Sequence, residues 1–170
     1  MNFKSLIRTI PDFPKAGIRF RDITPLLASG VGFRHVIGVM ADRYTGKVDK
    51  VVGIEARGFI FGAAIANAIH AGFVPVRKPG KLPSEAIGHD YELEYGTNRV
   101  EVHVDGLAKG ERTLVIDDLL ATGGTMAAAI HLLRLVKAKV AACSFLIELT
   151  FLKGREKIDV PVTSLMQYES

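Results

Sequence analysis

Apolar runs alternate with amphipathic segments along most of the chain. Four apolar runs have the length and composition of buried strands, and they cover residues 48–54, 73–76, 113–116 and 139–149. Apolar residues recur at helical spacing in three further segments, at residues 32–46, 59–72 and 124–138. Because strands alternate with helices, the pattern predicts an α/β fold with a central, mainly parallel sheet flanked by helices.

A different pattern occupies residues 91–104, with the sequence YELEYGTNRVEVHV. Apolar and polar residues alternate with a period of two in its second half, which predicts two extended pieces joined by a turn at Gly96, Thr97 and Asn98. No internal repeat, low-complexity stretch or Ser/Pro-rich linker interrupts the 170 residues. We therefore expect a single domain over residues 1–170.

Composition indicates a soluble protein with a packed core. Hydrophobic residues make up 48% of the chain and charged residues 24%, so wholesale disorder is not expected. No apolar run approaches the roughly 20 residues of a membrane span. Pro11 and Pro14 interrupt the N-terminal segment before an apolar core of secretory-signal length. We expect a cytoplasmic protein with no membrane partner.

Charge and metal-binding residue types narrow the function further. The net charge of +4 suits an anionic ligand, but Lys and Arg form no dense run, so we expect no nucleic-acid partner. Cys143 is the one cysteine and lies in an apolar run, which predicts a buried, unreactive thiol. The five histidines lack the spacing of paired ligands, so the sequence predicts no structural zinc site.

Candidate chemistry follows two of the predicted strands. Ligands of parallel α/β sheets bind beyond the carboxyl ends of the strands, where EARG (55–58) and DDLLATGGT (117–125) lie. In the second segment, Gly123 and Gly124 let a ligand approach backbone N–H groups, and a helix begins there with its positive dipole end. Together with the hydroxyls of Thr122 and Thr125, these groups predict a site for a phosphate-sized anion.

Two adjacent carboxylates, Asp117 and Asp118, precede that loop. Carboxylates would repel a phosphate, but they accept hydrogen bonds from sugar hydroxyls and suit a hydrated divalent cation. The layout therefore predicts a sugar-phosphate ligand. The same residues also fit a plain turn before a well-capped helix. The segment lacks the Gly-Lys-Ser/Thr ending of nucleoside-triphosphate loops and the GxGxxG pattern of dinucleotide-binding loops.

The segment VIDDLLATGGT (115–125) resembles the phosphoribosyl-pyrophosphate motif of the type I phosphoribosyltransferases. From about Ile7 to Tyr168, five further segments resemble the adenine phosphoribosyltransferases, in the same order. They are PDFPKAGIRFRDITPLL (11–27), EARGFIFG (55–62), RKPGKLP (77–83), YELEYG (91–96) and ELTFLKGREKI (148–158).

The resemblance implies a type I phosphoribosyltransferase fold in which about residues 1–30 form a small hood over the base. It implies transfer of the 5-phosphoribosyl group from 5-phosphoribosyl 1-pyrophosphate to adenine, giving AMP and pyrophosphate in purine salvage. It also implies a homodimer. Mg²⁺ is the implied cofactor, brought mainly by the substrate rather than by direct protein ligands.

The resemblance also assigns residues to the phosphoribosyl pyrophosphate. Asp117 and Asp118 would bind the ribose hydroxyls, and the loop of Ala121, Thr122, Gly123, Gly124 and Thr125 would hold the 5′-phosphate. The cations implied near the pyrophosphate are Arg57, Arg77, Lys78 and Lys81, with Arg77 reaching across the dimer. Without the resemblance, residues 77–81 also fit a solvated basic turn. The family pattern further predicts a cis peptide bond between Glu55 and Ala56.

A mobile loop would carry the implied catalytic glutamate. By resemblance, Glu94 handles a proton of the purine ring, Tyr95 belongs to the same loop, and closure excludes water. Arg57 is the second implied catalytic residue. Glu92 would share a face with Glu94 in an extended segment, so the residue pattern alone does not choose between them, and it also fits an ordinary exposed strand.

The implied adenine site draws on both ends of the chain. Phe20 would stack on the base, backbone groups of Ile18 and Arg21 would bind its edge, and Leu149 would contact it. By residue pattern alone, Phe20 also fits core packing.

Two other functions fit parts of the sequence. One is a phosphoribosyltransferase for another 6-substituted purine. The other is a ligand-sensing regulator that binds nucleic acid. The loop glutamate and the pyrophosphate cations argue against it, because a sensor would not require them.

Overall fold

The computed structural model describes residues 2–92 and 96–170. The chain divides into two compact units, Met1–Val39 and Met40–Ser170. None of the helices in the described ranges is long and apolar enough to cross a membrane.

The first unit contains a small antiparallel hairpin. Its strands are β1 (Arg8–Pro11) and β2 (Arg19–Asp22), preceded by a 3-10 turn at Phe3–Leu6. Helix α1 (Thr24–Ala28) follows, and the Asp22 carboxylate accepts a hydrogen bond from the first backbone N–H of that helix at 2.9 Å. Helix α2 (Gly30–Asp42) begins in this unit and ends in the next.

The described part of the second unit contains seven strands and two helices. In chain order they are β3 (Lys50–Ile54), α3 (Arg57–Ala68), β4 (Gly72–Val76), β5 (Ala86–Glu92), β6 (Thr97–His103), β7 (Arg112–Leu120), α4 (Gly124–Leu135), β8 (Lys139–Leu149) and β9 (Val162–Tyr168). Short 3-10 turns follow β8 at Thr150–Leu152 and Gly154–Lys157.

Five of these strands form the central sheet, in the order β4-β3-β7-β8-β9, and every neighbouring pair is parallel. The interior strand β7 carries Leu114, Val115 and Ile116, which are fully buried, as expected where both faces of a parallel sheet are covered. Strands β5 and β6 form a separate antiparallel pair. The predicted α/β class with a mainly parallel sheet flanked by helices is confirmed.

Several predicted boundaries are wrong, and the most informative is the end of β7. The strand was expected to end at residue 116, but its pairing with β8 continues through Asp117 to Leu120. The two acids therefore lie within β7 rather than after it, because β8 extends far enough to pair with this part of the strand. The predicted turn at 96–98 is also misplaced, since Thr97 and Asn98 already pair with β5.

The predicted helices all end too late. The helix expected over 59–72 occupies Arg57–Ala68, because Gly72 already begins β4. The helix expected to reach residue 46 ends at Asp42, and a hydrogen-bonded turn follows in which Tyr44 and Lys47 donate to the residues three positions earlier. The helix expected over 124–138 ends at Leu135. Strand β8 matches its predicted bounds, and the short strands β1, β2 and β9 were not predicted.

Candidate active site

The parallel pairing of β3 with β7 brings the two candidate segments together. Gly53 of β3 lies opposite Ile116 of β7, so EARG, which follows β3, lies beside the two aspartates in the last part of β7. Gly58 permits this approach: a Cβ atom there would lie 2.8 Å from the Ile116 carbonyl oxygen and 3.0 Å from Asp117 Oδ1. The first turn of α3 therefore packs directly against the end of β7.

Arg57 and Asp118 form an ion pair at this junction. The Arg57 Nε to Asp118 Oδ2 distance is 2.8 Å, and the Asp118 side chain is 9% exposed while that of Arg57 is 40% exposed. The Asp118 backbone N–H donates to Asp117 Oδ1 at 2.9 Å. The two carboxylates and the Arg57 guanidinium therefore lie close together.

Burial dominates the electrostatics of both acids. It raises the pKa of Asp117 well above its ordinary value, and the neighbouring charge of Asp118 raises it further. Burial also raises the pKa of Asp118, but the Arg57 charge opposes that shift. Arg57 therefore favours a negative charge on Asp118 at a place where burial disfavours it.

A cavity of about 320 Å³ opens over these groups, a size within the usual range for small-molecule sites. It is bounded by the carboxyl ends of β3, β4 and β7 and by the β5–β6 hairpin. Its charged and polar lining residues are Glu55, Arg57, Arg77, Lys78, Tyr91, Asn98, Arg99, Asp117, Asp118 and Thr125. Acids and cations in one cavity suit a ligand that has both hydroxyls and negative charge.

A smaller cavity of about 90 Å³ adjoins the first, and the two share Asp117, Leu119 and Thr125. Residues 119–126, at the start of α4, make most of its wall. Gly123 has φ +80°, a left-handed conformation that glycine adopts without strain. The loop and the first turn of α4 offer unpaired backbone N–H groups to an anion.

Glu55 organises the basic segment at the mouth of the larger cavity. Its carboxylate accepts hydrogen bonds from Arg77 Nε at 3.2 Å and Nη2 at 3.1 Å, and from the Lys78 backbone N–H at 3.0 Å. These donors lower the pKa of Glu55. Arg77 also donates to the Lys81 carbonyl at 3.0 Å. Arg77 and Lys78 line the cavity, whereas Lys81 is exposed beside it.

The peptide bond between Glu55 and Ala56 is cis, which confirms the sequence-based prediction. Cys143 is fully buried, and burial raises the pKa of its thiol to about 12, so the prediction of an unreactive thiol is supported. Within residues 2–92 and 96–170, no group of three or more His, Cys, Asp or Glu side chains could hold a metal ion.

The described residues that were predicted to bind the base are not among those that line the two cavities. Glu94 and Tyr95 fall outside the described residues. Phe20 is partly buried in the first unit, where its ring meets Phe13 edge-on with centroids 5.2 Å apart. Ile18 is exposed, and Arg21 donates to Thr9 Oγ1 at 2.6 Å. Leu149 ends β8 and is partly buried. Adenine binding by these residues stays a prediction.

Sequence reasoning missed three lining residues on the β5–β6 hairpin: Tyr91, Asn98 and Arg99. The Tyr91 hydroxyl lies 3.1 Å from Thr125 Oγ1, so the hairpin contacts the loop of residues 121–125 directly. Arg99 pairs across the hairpin with Asp90 at 3.0 Å. A correct hairpin register would have placed these opposite charges side by side, but the misplaced turn hid that signal.

Comparisons with known proteins agree with this geometry. Residues 24–167 match the family model of the phosphoribosyl transferase domain. The chain is 55% identical over 169 residues to the adenine phosphoribosyltransferase of Roseiflexus sp. (strain RS-1), with 98% of each chain covered. The crystal structure of the adenine phosphoribosyltransferase from Thermoanaerobacter pseudethanolicus aligns with a TM-score of 0.94 at 49% identity over 98% of each chain. The Saccharomyces cerevisiae enzyme, complexed with D-2,5-dideoxy-2,5-imino-altritol 1,6-bisphosphate and adenine, aligns with a TM-score of 0.93 at 39% identity over 96% of each chain.

Proposed function

We propose that the two adjoining cavities form the active site of this chain. The chain belongs to the adenine phosphoribosyltransferase family. It transfers the 5-phosphoribosyl group of 5-phosphoribosyl 1-pyrophosphate to adenine, giving AMP and pyrophosphate. One observation carries the proposal: the small cavity at the helix start and the larger cavity with acids and cations share Asp117 and Thr125. A ligand with a phosphate at one end and hydroxyls beside it would span both.

Each part of the sugar phosphate has a matching set of groups. The 5′-phosphate would accept hydrogen bonds from the backbone of Ala121–Thr125, where the α4 dipole favours negative charge. The ribose hydroxyls would donate to Asp117, which lines both cavities, and to Asp118, which lines the larger one. Such donors would favour the ionised carboxylates, which burial alone disfavours.

The pyrophosphate would lie toward the cations of the larger cavity. Arg57, Arg77 and Lys78 line that cavity and Lys81 is next to it. Negative charge grows on the leaving oxygen as its bond to the anomeric carbon breaks, and cations already in place stabilise it most. Arg77 is held by Glu55 of its own chain, so the predicted role across a dimer would require exchange of those hydrogen bonds.

Mg²⁺ fits this set of groups when it arrives with the substrate. Mg²⁺ keeps several waters and takes phosphate oxygens together with one or two carboxylates. Asp117 and Asp118 are the carboxylates that would face its water shell, and the residues that the structure describes offer no larger cluster of ligand side chains. The bound ion would supply charge neutralisation at the pyrophosphate.

The base and its proton involve residues assigned from the sequence. The purine nitrogen forms the new bond to the anomeric carbon while the bond to pyrophosphate breaks, and the ring proton passes to Glu94. Phe20 would stack on adenine, Ile18 and Arg21 would bind its edge through backbone groups, and Leu149 would contact it. Residues 1–30 would form the hood of a single domain. The partly buried Phe20 ring is consistent with an apolar slot.

A cytoplasmic homodimer completes the proposal. Apolar side chains that a second copy could cover include Ile60, Val104 and Phe151, which are between 39% and 48% exposed. One buried, unreactive thiol suits a reducing compartment. Sedimentation equilibrium of the purified chain would give twice the mass of 18.4 kDa if the dimer forms, and the monomer mass would refute it.

The residue assignment is tested by removing ligand hydroxyls and carboxylates in turn. We expect AMP to bind at least about tenfold more tightly than 2′,3′-dideoxy-AMP, because two hydrogen bonds to charged acceptors are lost. Asp117→Asn and Asp118→Asn should each reduce that ratio. Asp159→Asn is the matched control, since that acid is exposed and pairs with Arg134. An unchanged ratio in both site variants would overturn the ribose assignment.

A further inference from the structure

The loop of residues 121–125 lies against a second segment, which begins at Gly154, with almost no space between the two backbones. A Cβ atom on Gly123 would be 2.3 Å from the Gly154 carbonyl oxygen. A Cβ atom on Gly154 would be 2.3 Å from the Ala121 carbonyl oxygen and 3.1 Å from the Gly123 nitrogen. The two glycines therefore face each other, and each approach involves backbone atoms that no side-chain rotation can move aside.

Gly123 has a second reason to be glycine, because its φ is +80°. Gly154 has no such reason: it begins a 3-10 turn, and its φ lies outside the left-handed region. Gly154 is buried, and the close approach of the loop backbone, together with Leu120 Cδ1 at 2.9 Å, explains the absence of a side chain there.

The next residue fixes the segment that carries Gly154. Arg155 donates to the Glu148 carboxylate through Nε at 2.5 Å and Nη2 at 2.6 Å, and to the Val162 carbonyl through Nη1 at 3.0 Å. Glu148 is 3% exposed and also accepts hydrogen bonds from Ser164 at 2.5 Å and Gln167 at 3.1 Å. This two-pronged pair joins the half-exposed Arg155 to a buried carboxylate, and it ties the segment to β8 and β9, both part of the central sheet.

We propose that Gly154 and Arg155 are positioning residues for the phosphate loop. Arg155 anchors the segment to the sheet, and Gly154 then sets how close the backbone of Ala121–Gly123 can lie to it. The position of the loop N–H groups, and with it the affinity for the 5′-phosphate, depends on this contact. The inference rests on the proposed assignment of the loop to that phosphate.

The geometry gives the size of the effect. Real Cβ atoms essentially never approach other heavy atoms closer than 3.0 Å, so Gly154→Ala must increase the distance of 2.3 Å to the Ala121 carbonyl oxygen by 0.7 Å or more. Because Arg155 anchors the segment of residue 154 to the sheet, we expect the loop to move. A misplacement near 1 Å in an active site can cost on the order of 10²-fold in rate, and we expect a smaller loss for a phosphate contact alone. We therefore expect Gly154→Ala to weaken AMP binding by about tenfold or more.

The test isolates the phosphate by comparing the Kd of AMP with the Kd of adenosine, measured by calorimetry. The ratio of adenosine Kd to AMP Kd should fall about tenfold in Gly154→Ala, while adenosine binding alone stays unchanged. A general loss of structure would weaken both ligands and would contradict the proposal. Gly38→Ala is the matched control, because its Cβ would meet nothing within 4 Å.

Two further variants keep the outcomes distinguishable. Gly124→Asp places a like charge in the loop, and nothing lies within 4 Å of its Cβ, so it should abolish the AMP advantage if the loop binds phosphate. If Gly124→Asp has that effect and Gly154→Ala has none, the inference is wrong and the loop assignment stands. If neither variant changes the ratio, the loop assignment fails as well.

If Gly154→Ala does not fold, Arg155→Lys tests the same positioning role. Lysine keeps the positive charge beside Glu148 but loses the two-pronged geometry. We expect a smaller fall in the same Kd ratio, in a variant whose thermal unfolding shows a cooperative transition. A folded Arg155→Lys protein with the ratio of the unaltered chain would overturn the proposed role of Arg155.

Discussion

Replacing Arg57 with methionine tests whether this cation maintains a buried negative charge. The Arg57 Nε to Asp118 Oδ2 distance is 2.8 Å, and the Asp118 side chain is 9% exposed. Two unit charges about 4 Å apart interact by about 4 kcal/mol at an effective dielectric constant of about 20. Because Arg57 is 40% exposed, solvent screens part of this, and we expect a net loss of about 1–3 kcal/mol in the free energy of unfolding at pH 7.

The destabilisation should depend on pH in a defined direction. Arg57 lowers the pKa of Asp118 against the effect of burial, so its removal raises the folded-state pKa further above the ordinary value of 3.8. The folded variant then binds more protons than the unfolded chain, and its stability falls as pH rises from 3.8 through that raised pKa. The difference from the unaltered chain should be smallest near about pH 4 and reach its full size at neutral pH.

Urea unfolding at several pH values between about 4 and 8 measures this difference. Arg134→Met is the control, because Arg134 pairs with Asp159 at the same 2.8 Å but that acid is 69% exposed. We expect no pH-dependent loss of stability in the control. The reasoning fails if Arg57→Met loses as much stability in acid as at neutral pH, or if both variants behave alike.

Three more predictions follow from single residues. Gly58→Ala should lower kcat/KM by about tenfold, because its Cβ would press on the β7 backbone at Ile116, whereas Gly38→Ala, whose Cβ meets nothing within 4 Å, should leave kcat/KM within about twofold. Glu94→Gln should lower kcat by about 10²-fold and Glu92→Gln far less, and equal losses in steady-state assays would remove Glu94 as the base. Cys143 should resist a thiol reagent at mildly alkaline pH until urea unfolds the chain, since burial raises its pKa to about 12; rapid labelling of the native protein would contradict this.

Four of the five strands of the central sheet could be predicted from the sequence because their causes are local. Strand β8 was predicted residue for residue, since a largely apolar run of 11 residues fits the covered interior of a parallel sheet. The end of β7 could not be predicted the same way. Asp117 and Asp118 stay in the ladder because β8 extends beside them, and pairing partners are not visible in a local pattern.

Several residues that line the larger cavity were predictable from the sequence, but their contacts were not. Spacing and chemistry singled out Arg57, Asp117 and Asp118, yet the Arg57–Asp118 pair requires the parallel register of β3 with β7. The same holds for Gly154, which is 31 residues from Gly123 and carries no local signal of the loop it touches (154 − 123 = 31). Contacts between distant segments are set by topology, which composition and periodicity constrain only loosely.

The most direct test of the central claim is turnover with separate bases. The purified chain, Mg²⁺ and 5-phosphoribosyl 1-pyrophosphate would be incubated with adenine, hypoxanthine, guanine or xanthine, and nucleotide formation and pyrophosphate release would be followed together. We predict AMP and pyrophosphate in equal amounts from adenine, and no nucleotide from the other three bases. Nucleotide formed from another base instead of adenine would contradict the assigned substrate, and no nucleotide from any base would contradict the reaction itself.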